Sequence, residues 1–282
     1  MRIRGRRRCK DCGREWSYFE LGTVTCPDCG SLRSVGRGQR EQHTDSAVEL
    51  DLSPHRAALG EHTDVGDVAE EVKTTLRDYV RQRGFVRGGE LLTVDDTALA
   101  AAELLHAVDV FDRARDPDDA ARLYVLELLR GADSGDRPDP SSVPDSMTAA
   151  RGLAYASVLS TFCSDLGTWL DDNPDPAAGR VRETITTHVK RVEAIHGDVP
   201  VAESEALVDA ARDLATYLAD GDEASLSTAR DRLARLGGVA GVPSTTSAST
   251  RPDGPTTTHL SDRDALLRRW AISSTNTPSV TG

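Results

Sequence analysis

The sequence predicts a mainly α protein: a small β unit at the N-terminus, then an antiparallel helical bundle, then a disordered C-terminal tail. Three observations carry this prediction. Four of the five cysteines fall in the first 30 residues as two Cys-x-x-Cys-Gly pairs. From residue 54 to 236 apolar side chains recur at helical spacing. Beyond that, 25 of the 46 residues 237–282 are Gly, Pro, Ser or Thr. Aromatic residues make up only 4% of the 282, too few for a large β-sandwich or barrel core. No apolar run reaches the length of a membrane span, and no apolar stretch follows the Arg-rich start as in a secretory signal.

The N-terminal unit, 1–40, rests on its cysteines. Cys9 and Cys12 form one pair and Cys26 and Cys29 the other, with thirteen residues between them. Each pair followed by glycine reads as a knuckle, a tight turn that presents two sulfurs to one metal. Gly13 and Gly30 permit the positive φ on leaving each turn. Four thiolates in tetrahedral array suit one structural Zn²⁺ and leave no open position for chemistry. Two disulfides or a rubredoxin-like iron site are the alternatives; the first is disfavoured without a secretion signal, the second by the short spacer. A ribbon of about 40 residues cannot fold on its own core, so metal supplies most of its folding energy. Glu15 to Phe19 alternates as a strand with Trp16 and Tyr18 on one face, Glu20-Leu21-Gly22 turns, and Thr23-Val24-Thr25 returns.

Residues 9–30 resemble a zinc ribbon of the transcription factor IIB type. The chain as a whole resembles uncharacterised haloarchaeal proteins that carry such a ribbon ahead of a helical domain. The resemblance implies ligand roles for Cys9, Cys12, Cys26 and Cys29. In the transcription factor, the ribbon contacts RNA polymerase and two cyclin-like repeats contact the basal promoter complex.

A polar linker, 41–53, ends in residues 48–52, whose alternation reads as a short strand. The helical domain, 54–236, then opens with Ser53-Pro54, an N-cap followed by proline at the first helical position. Val65, Val68, Val72, Leu76 and Tyr79 mark its first apolar face, and residues 85–94, with Gly88-Gly89, read as a loop or tiny hairpin. Asp95 or Asp96 caps a helix with Leu104, Val108 and Phe111 inward; after Pro117, Leu123, Leu126 and Leu129 mark another. Asp145 caps a long helix to about Asp171, striped by Tyr155, Leu159, Phe162, Leu166 and Trp169. Three helices follow, on Val181, Ile185, His188, Val192 and Ile195; on Leu207, Ala211, Leu214 and Leu218; and on Leu226, Ala229, Leu233 and Leu236. Short polar breaks between them favour antiparallel neighbours. Within the low-complexity tail, 237–282, one island at 261–272 with Leu266, Leu267, Trp270 and Ile272 reads as a short helix.

Net charge is −12, and only Lys10, Lys73 and Lys190 are lysines. Such an acidic, Lys-poor composition fits a halophilic archaeon, or an ordinary acidic cytosolic protein from a GC-rich genome. The charge is lopsided: residues 1–40 carry a formal +6, the remainder −18. A basic head either meets an anionic partner or faces its own body. His43, His55 and His62 lie in polar surroundings and read as surface; His188 reads as a core histidine and Cys163 as a small buried hydrophobe.

No phosphate loop, HExxH, GxSxG or dinucleotide fingerprint occurs, so no catalytic residue and no small-molecule substrate are expected. The sequence is read as a cytoplasmic, non-enzymatic adaptor associated with transcription, binding through its ribbon. The partner-binding candidates are Arg2, Arg4, Arg6, Arg7, Arg8, Trp16 and Tyr18: arginine forks for phosphate or carboxylate, aromatics for stacking. In molar salt the Debye length falls to about 3 Å, which favours a protein partner over bare DNA. The competing reading is a helical interaction scaffold in which zinc only staples the N-terminus.

Overall fold

Residues 1–46, 48–61 and 65–238 are described by the computed structural model of the chain. The expected tail and its helix at 261–272 lie outside the described residues, apart from Gly237 and Gly238, and so does His62.

The N-terminal unit is a β structure wrapped around the cysteines. Strand β1 (Arg2–Ile3) is followed by β2 (Arg6–Cys9), β3 (Glu15–Ser17), a single helical turn α1 (Tyr18–Leu21), β4 (Ser34–Arg37) and β5 (Glu41–Gln42). β2 is the centre of an antiparallel sheet ordered β3-β2-β4, and β1 pairs antiparallel with β5. The expected hairpin of residues 15–19 with 23–25 is not formed. Tyr18 begins a helical turn that Gly22 ends at φ 63°. Thr23 is instead occupied locally: its carbonyl accepts from the Trp16 indole at 3.0 Å and its hydroxyl from Thr25 N at 3.1 Å. The ladder partners of β2 therefore come from both ends of the unit.

Residues 48–52 form no strand; Leu50 and Leu52 are instead inserted into the helical core. Leu52 N donates to the Asp133 carboxylate at 3.1 Å, which replaces a ladder bond. The helices are α2 (Ser53–Glu61), α3 (Ala69–Gln82, entered through a 3₁₀ turn at Val65–Val68), α4 (Asp96–Arg113), α5 (Asp119–Gly131), α6 (Asp145–Leu170), α7 (Pro176–Ala194), α8 (Val201–Asp220) and α9 (Glu223–Gly238). Between α3 and α4, β6 (Val86–Arg87) and β7 (Glu90–Leu91) make a hairpin turned at Gly88-Gly89. Asp95 caps α4, its carboxylate accepting from Ala98 N at 2.8 Å.

Two adjoining cores hold the helices. Leu76, Leu104, Phe111 and Leu128 belong to the core of α2–α5; Phe85, Leu159, Phe162, Ile185 and Leu214 belong to that of α6–α9. α4 and α6, packed on one another, are the spine that joins the two.

Three inward assignments differ from expectation. Leu123 is 65% exposed, because the inner face of α5 is Ala121, Tyr124, Val125 and Leu128. His188 is half-buried: Val181, Ile185, Val189 and Val192 form the stripe, and position 188 lies beside it. Ile195, just past the end of α7, is exposed. Cys163 is buried, as expected, and burial pushes its thiol up to about 11. Among the described residues no helix is long and apolar enough to cross a membrane.

Candidate metal centre

The two knuckles repeat one backbone arrangement. Cys9 N donates to Arg14 O at 2.8 Å, and Cys26 N donates to Ser31 O at 2.9 Å, five residues on in each case. Gly13 and Gly30 leave the knuckles at φ 81° and 69°. The turns bring Cys9, Cys12, Cys26 and Cys29 together, all four sulfurs lying within 4.8 Å of one another. Cys9 Sγ is 3.7 Å from Cys29 Sγ, and Cys12 Sγ is 3.5 Å from Cys26 Sγ; none is in a disulfide. A tetrahedron with metal–sulfur bonds of about 2.3 Å has sulfur–sulfur edges of about 3.8 Å. The four residues therefore fit a metal ion. The backbone N–H of Cys12 holds the Cys9 thiol down, to about 6; at Cys12 and Cys29 the backbone N–H of Arg14 and of Ser31 acts the same way, but the neighbouring sulfurs and burial outweigh it and push Cys12 up and Cys29 up to about 12.

The knuckles are also braced across the centre. Arg33 Nη1 reaches Asp11 Oδ1 at 2.9 Å, and Arg14 Nε lies 3.7 Å from Asp28 Oδ1. Trp16 packs against Cys9 and Cys26 and is 8% exposed. Its expected place on a stacking surface is thus corrected: the indole is a wall of the metal centre, because β3 alternates it inward. Tyr18, two residues later at the start of α1, packs edge-to-face with His43, ring centroids 6.0 Å apart.

The seam with the helical body explains another correction. His43 is not surface but 7% exposed, and Gln42 and Asp45 beside it are buried too. Asp45 pairs with Arg83 and accepts from Arg87 Nε at 2.9 Å. Thr44 N donates to Val86 O at 2.8 Å, and Phe85 N donates to Asp165 Oδ2 at 2.7 Å. Burial lowers the His43 pKa; the nearby Asp45 charge opposes this, while Arg87 and the terminal amine add to it. His55 keeps a partial surface position, with Nε2 2.8 Å from Thr75 Oγ1.

The arginine candidates divide. Arg2 pairs with Asp172 at the end of α6. Arg7 donates to Ser34 Oγ at 3.0 Å, and Arg8 lies 3.9 Å from Glu15. Arg4 and Arg6 are exposed and make no ion pair among the described residues. Arg37 and Arg40, which the sequence reading passed over, are in the same condition. Their signal is the Gly36-Arg37-Gly38-Gln39-Arg40 stretch, a basic run without acids. Arg6 and Arg37 stand directly opposite in the β2–β4 register.

A second polar cluster has no linear signal at all. Arg151 of α6 donates to Glu103 of α4 at 2.7 Å and to Pro138 O at 2.6 Å, and lies 3.2 Å from Glu205 of α8. Tyr124 of α5 also bonds Glu103. Glu103 and Arg151 are essentially unexposed, so this is a clamp on four helices.

A family model described as "Family of unknown function (DUF7117)" matches residues 1–233, taking in the cysteine unit and nearly all of the helical body. No curated protein and no solved structure matches the chain.

Proposed function

The chain belongs to that family of unknown function, and from this premise we propose that it is a zinc-ribbon adaptor. One structural Zn²⁺ on Cys9, Cys12, Cys26 and Cys29 folds the ribbon, and the ribbon meets a partner of the transcription apparatus, protein or nucleic acid. The ribbon is taken as the transcription factor IIB type and the protein as cytoplasmic, without catalysis of its own. A closed four-thiolate site suits this, since it offers no open coordination position.

The observation that carries the proposal is the set of cations left over. Some ribbon arginines serve the knuckles and Arg2 serves the body, yet Arg4, Arg6, Arg37 and Arg40 have no acidic partner among the described residues. Like charges facing each other across strands, as Arg6 and Arg37 do, are destabilising without an anion. The experiment is metal analysis of the purified chain, with recovery of partners from lysate before and after chelation. One zinc per chain, and partners that are lost on chelation and on replacing Arg4, Arg6, Arg37 and Arg40 by Gln, is the expected result. Partners indifferent to both treatments would move binding to the helices.

A second reading has its own support: the Arg2–Asp172 pair and the buried seam around His43 favour a scaffold in which zinc only staples the N-terminus. It predicts that chelation lowers stability without changing what is bound.

A further inference from the structure

The ribbon carries a cleft of about 550 Å³ whose lining includes Arg4, Arg7, Arg40, Tyr18, Ile3 and Val24, and no carboxylate residue among the described residues. This volume is in the range of sites that enclose small organic groups. Its arginines differ in their pairing: Arg2, which also lines the cleft, is taken by Asp172. Arg7 is half-buried and held by Ser34 Oγ through Nε and Nη2, which leaves Nη1 without a partner among the described residues. Arg4 and Arg40 are exposed and free of ion pairs among the described residues. Tyr18 is fixed at its backbone by Gly5 O, which accepts from Tyr18 N at 2.7 Å, and at its ring by His43. Its hydroxyl has no hydrogen-bond partner among the described residues.

We propose that this cleft binds single-stranded nucleic acid, with phosphates on Arg4, Arg7 and Arg40 and one base against Tyr18. The inference rests on the ribbon being the binding element. Its ground is the pairing of two chemistries in one cleft. Guanidinium forks match phosphate oxygens. An aromatic ring beside Val24 and Ile3 matches a flat apolar group. A free phosphate satisfies only the first, and an acidic peptide satisfies the second only where it carries an aromatic residue; a strand offers charge and ring at every residue. Stacking does not weaken with salt as phosphate contacts do, so the two together hold where charge alone is screened. Residues 41–282 carry a formal −18 and repel a polyanion, whereas residues 1–40, at +6, attract it.

The test is fluorescence anisotropy of the full zinc-loaded chain with a labelled twelve-residue oligouridylate, over a range of salt. Replacing Arg4 and Arg40 together by Gln weakens binding at least about tenfold and reduces the slope of log affinity against log salt by about 1.4, at about 0.7 per phosphate contact. Tyr18→Ala weakens it about tenfold, and Tyr18→Phe keeps it, because the ring is what stacks. Zinc content and melting of the arginine variant stay unchanged, since both side chains are exposed. Three results would overturn the proposal: no binding at low salt, equal binding of a polyglutamate of matched charge, or a Tyr18→Ala variant that binds as the parent does. Competition by uridine monophosphate at the strand's own affinity would overturn the strand in favour of a free nucleotide. Loss of strand binding with chelation-sensitive partner capture intact would sink this inference and leave the adaptor standing.

Discussion

The ring of Phe19 fills the space that a side chain at position 5 would need: a Cβ built on Gly5 would lie 2.0 Å from Phe19 Cε2. The same ring meets Gly88 in the β6–β7 turn and lies 4.7 Å, centroid to centroid, from His43. One residue of the ribbon is thereby seated between ribbon, linker and helical body. Gly5→Ala should displace that ring and loosen the seam, and Phe19→Ala should empty it. For this partly buried ring the cost is about 2 kcal/mol. Thermal melting, with limited proteolysis after Arg40, checks it; unchanged protection in both variants would show that Phe19 does not hold the ribbon.

Metal removal should separate the two parts of the chain. The ribbon's own core is little more than Trp16 against Cys9 and Cys26, whereas the helices have two continuous cores. Chelation should therefore shift the fluorescence of Trp16 toward that of an exposed indole while leaving the far-ultraviolet helical signal in place. Cys26→Ser should do the same without chelator. Loss of helix on chelation would mean that the body depends on the ribbon for its fold.

Acid should loosen the seam through His43. Its folded pKa lies below the ordinary value of about 6.5, so the unfolded chain binds the proton more readily. The stabilisation is full above that ordinary value and is lost as pH falls through the lower folded value. Protease sensitivity of residues 41–46 should rise on acidification from pH 7 to 5, and His43→Phe should flatten the profile. A profile that stays the same in this variant would exclude the imidazole as its source.

The buried clamp should be the most costly place to mutate. Arg151→Met leaves Glu103 buried without its cation, and Glu103→Gln leaves buried Arg151 with only the half-buried Glu205, 3.2 Å away, as counter-ion. Removing one partner of a buried pair costs about 3–5 kcal/mol. The double variant with both replaced should recover part of that loss. Urea unfolding of the three variants is the measurement, and single-variant losses below about 1 kcal/mol would contradict the clamp.

How much was legible from residue order alone follows from the range of each interaction. Both knuckles, their positive-φ glycines and the ligand set could be read directly, because a Cys-x-x-Cys turn is closed by bonds within six residues. The helices and most of their buried faces were equally readable, since a 3.6-residue period is a local property. His188 and Leu123 were misplaced because one position beside a stripe is a rotation of only 100°, which the neighbouring helix resolves.

The ribbon's partners in the sheet, the inward Trp16, the burial of His43 and Asp45, and the Glu103–Arg151 clamp were decided by tertiary structure. Each depends on contacts between residues far apart in the chain: Arg7 with Gly36, Asp45 with Arg83, Glu103 with Arg151. A charged residue in a polar stretch reads as solvated until a partner arrives from elsewhere in the fold, and only then can it be buried. The same holds in reverse for Arg4 and Arg40: residue order shows that they are basic, but the fold shows that nothing acidic meets them among the described residues.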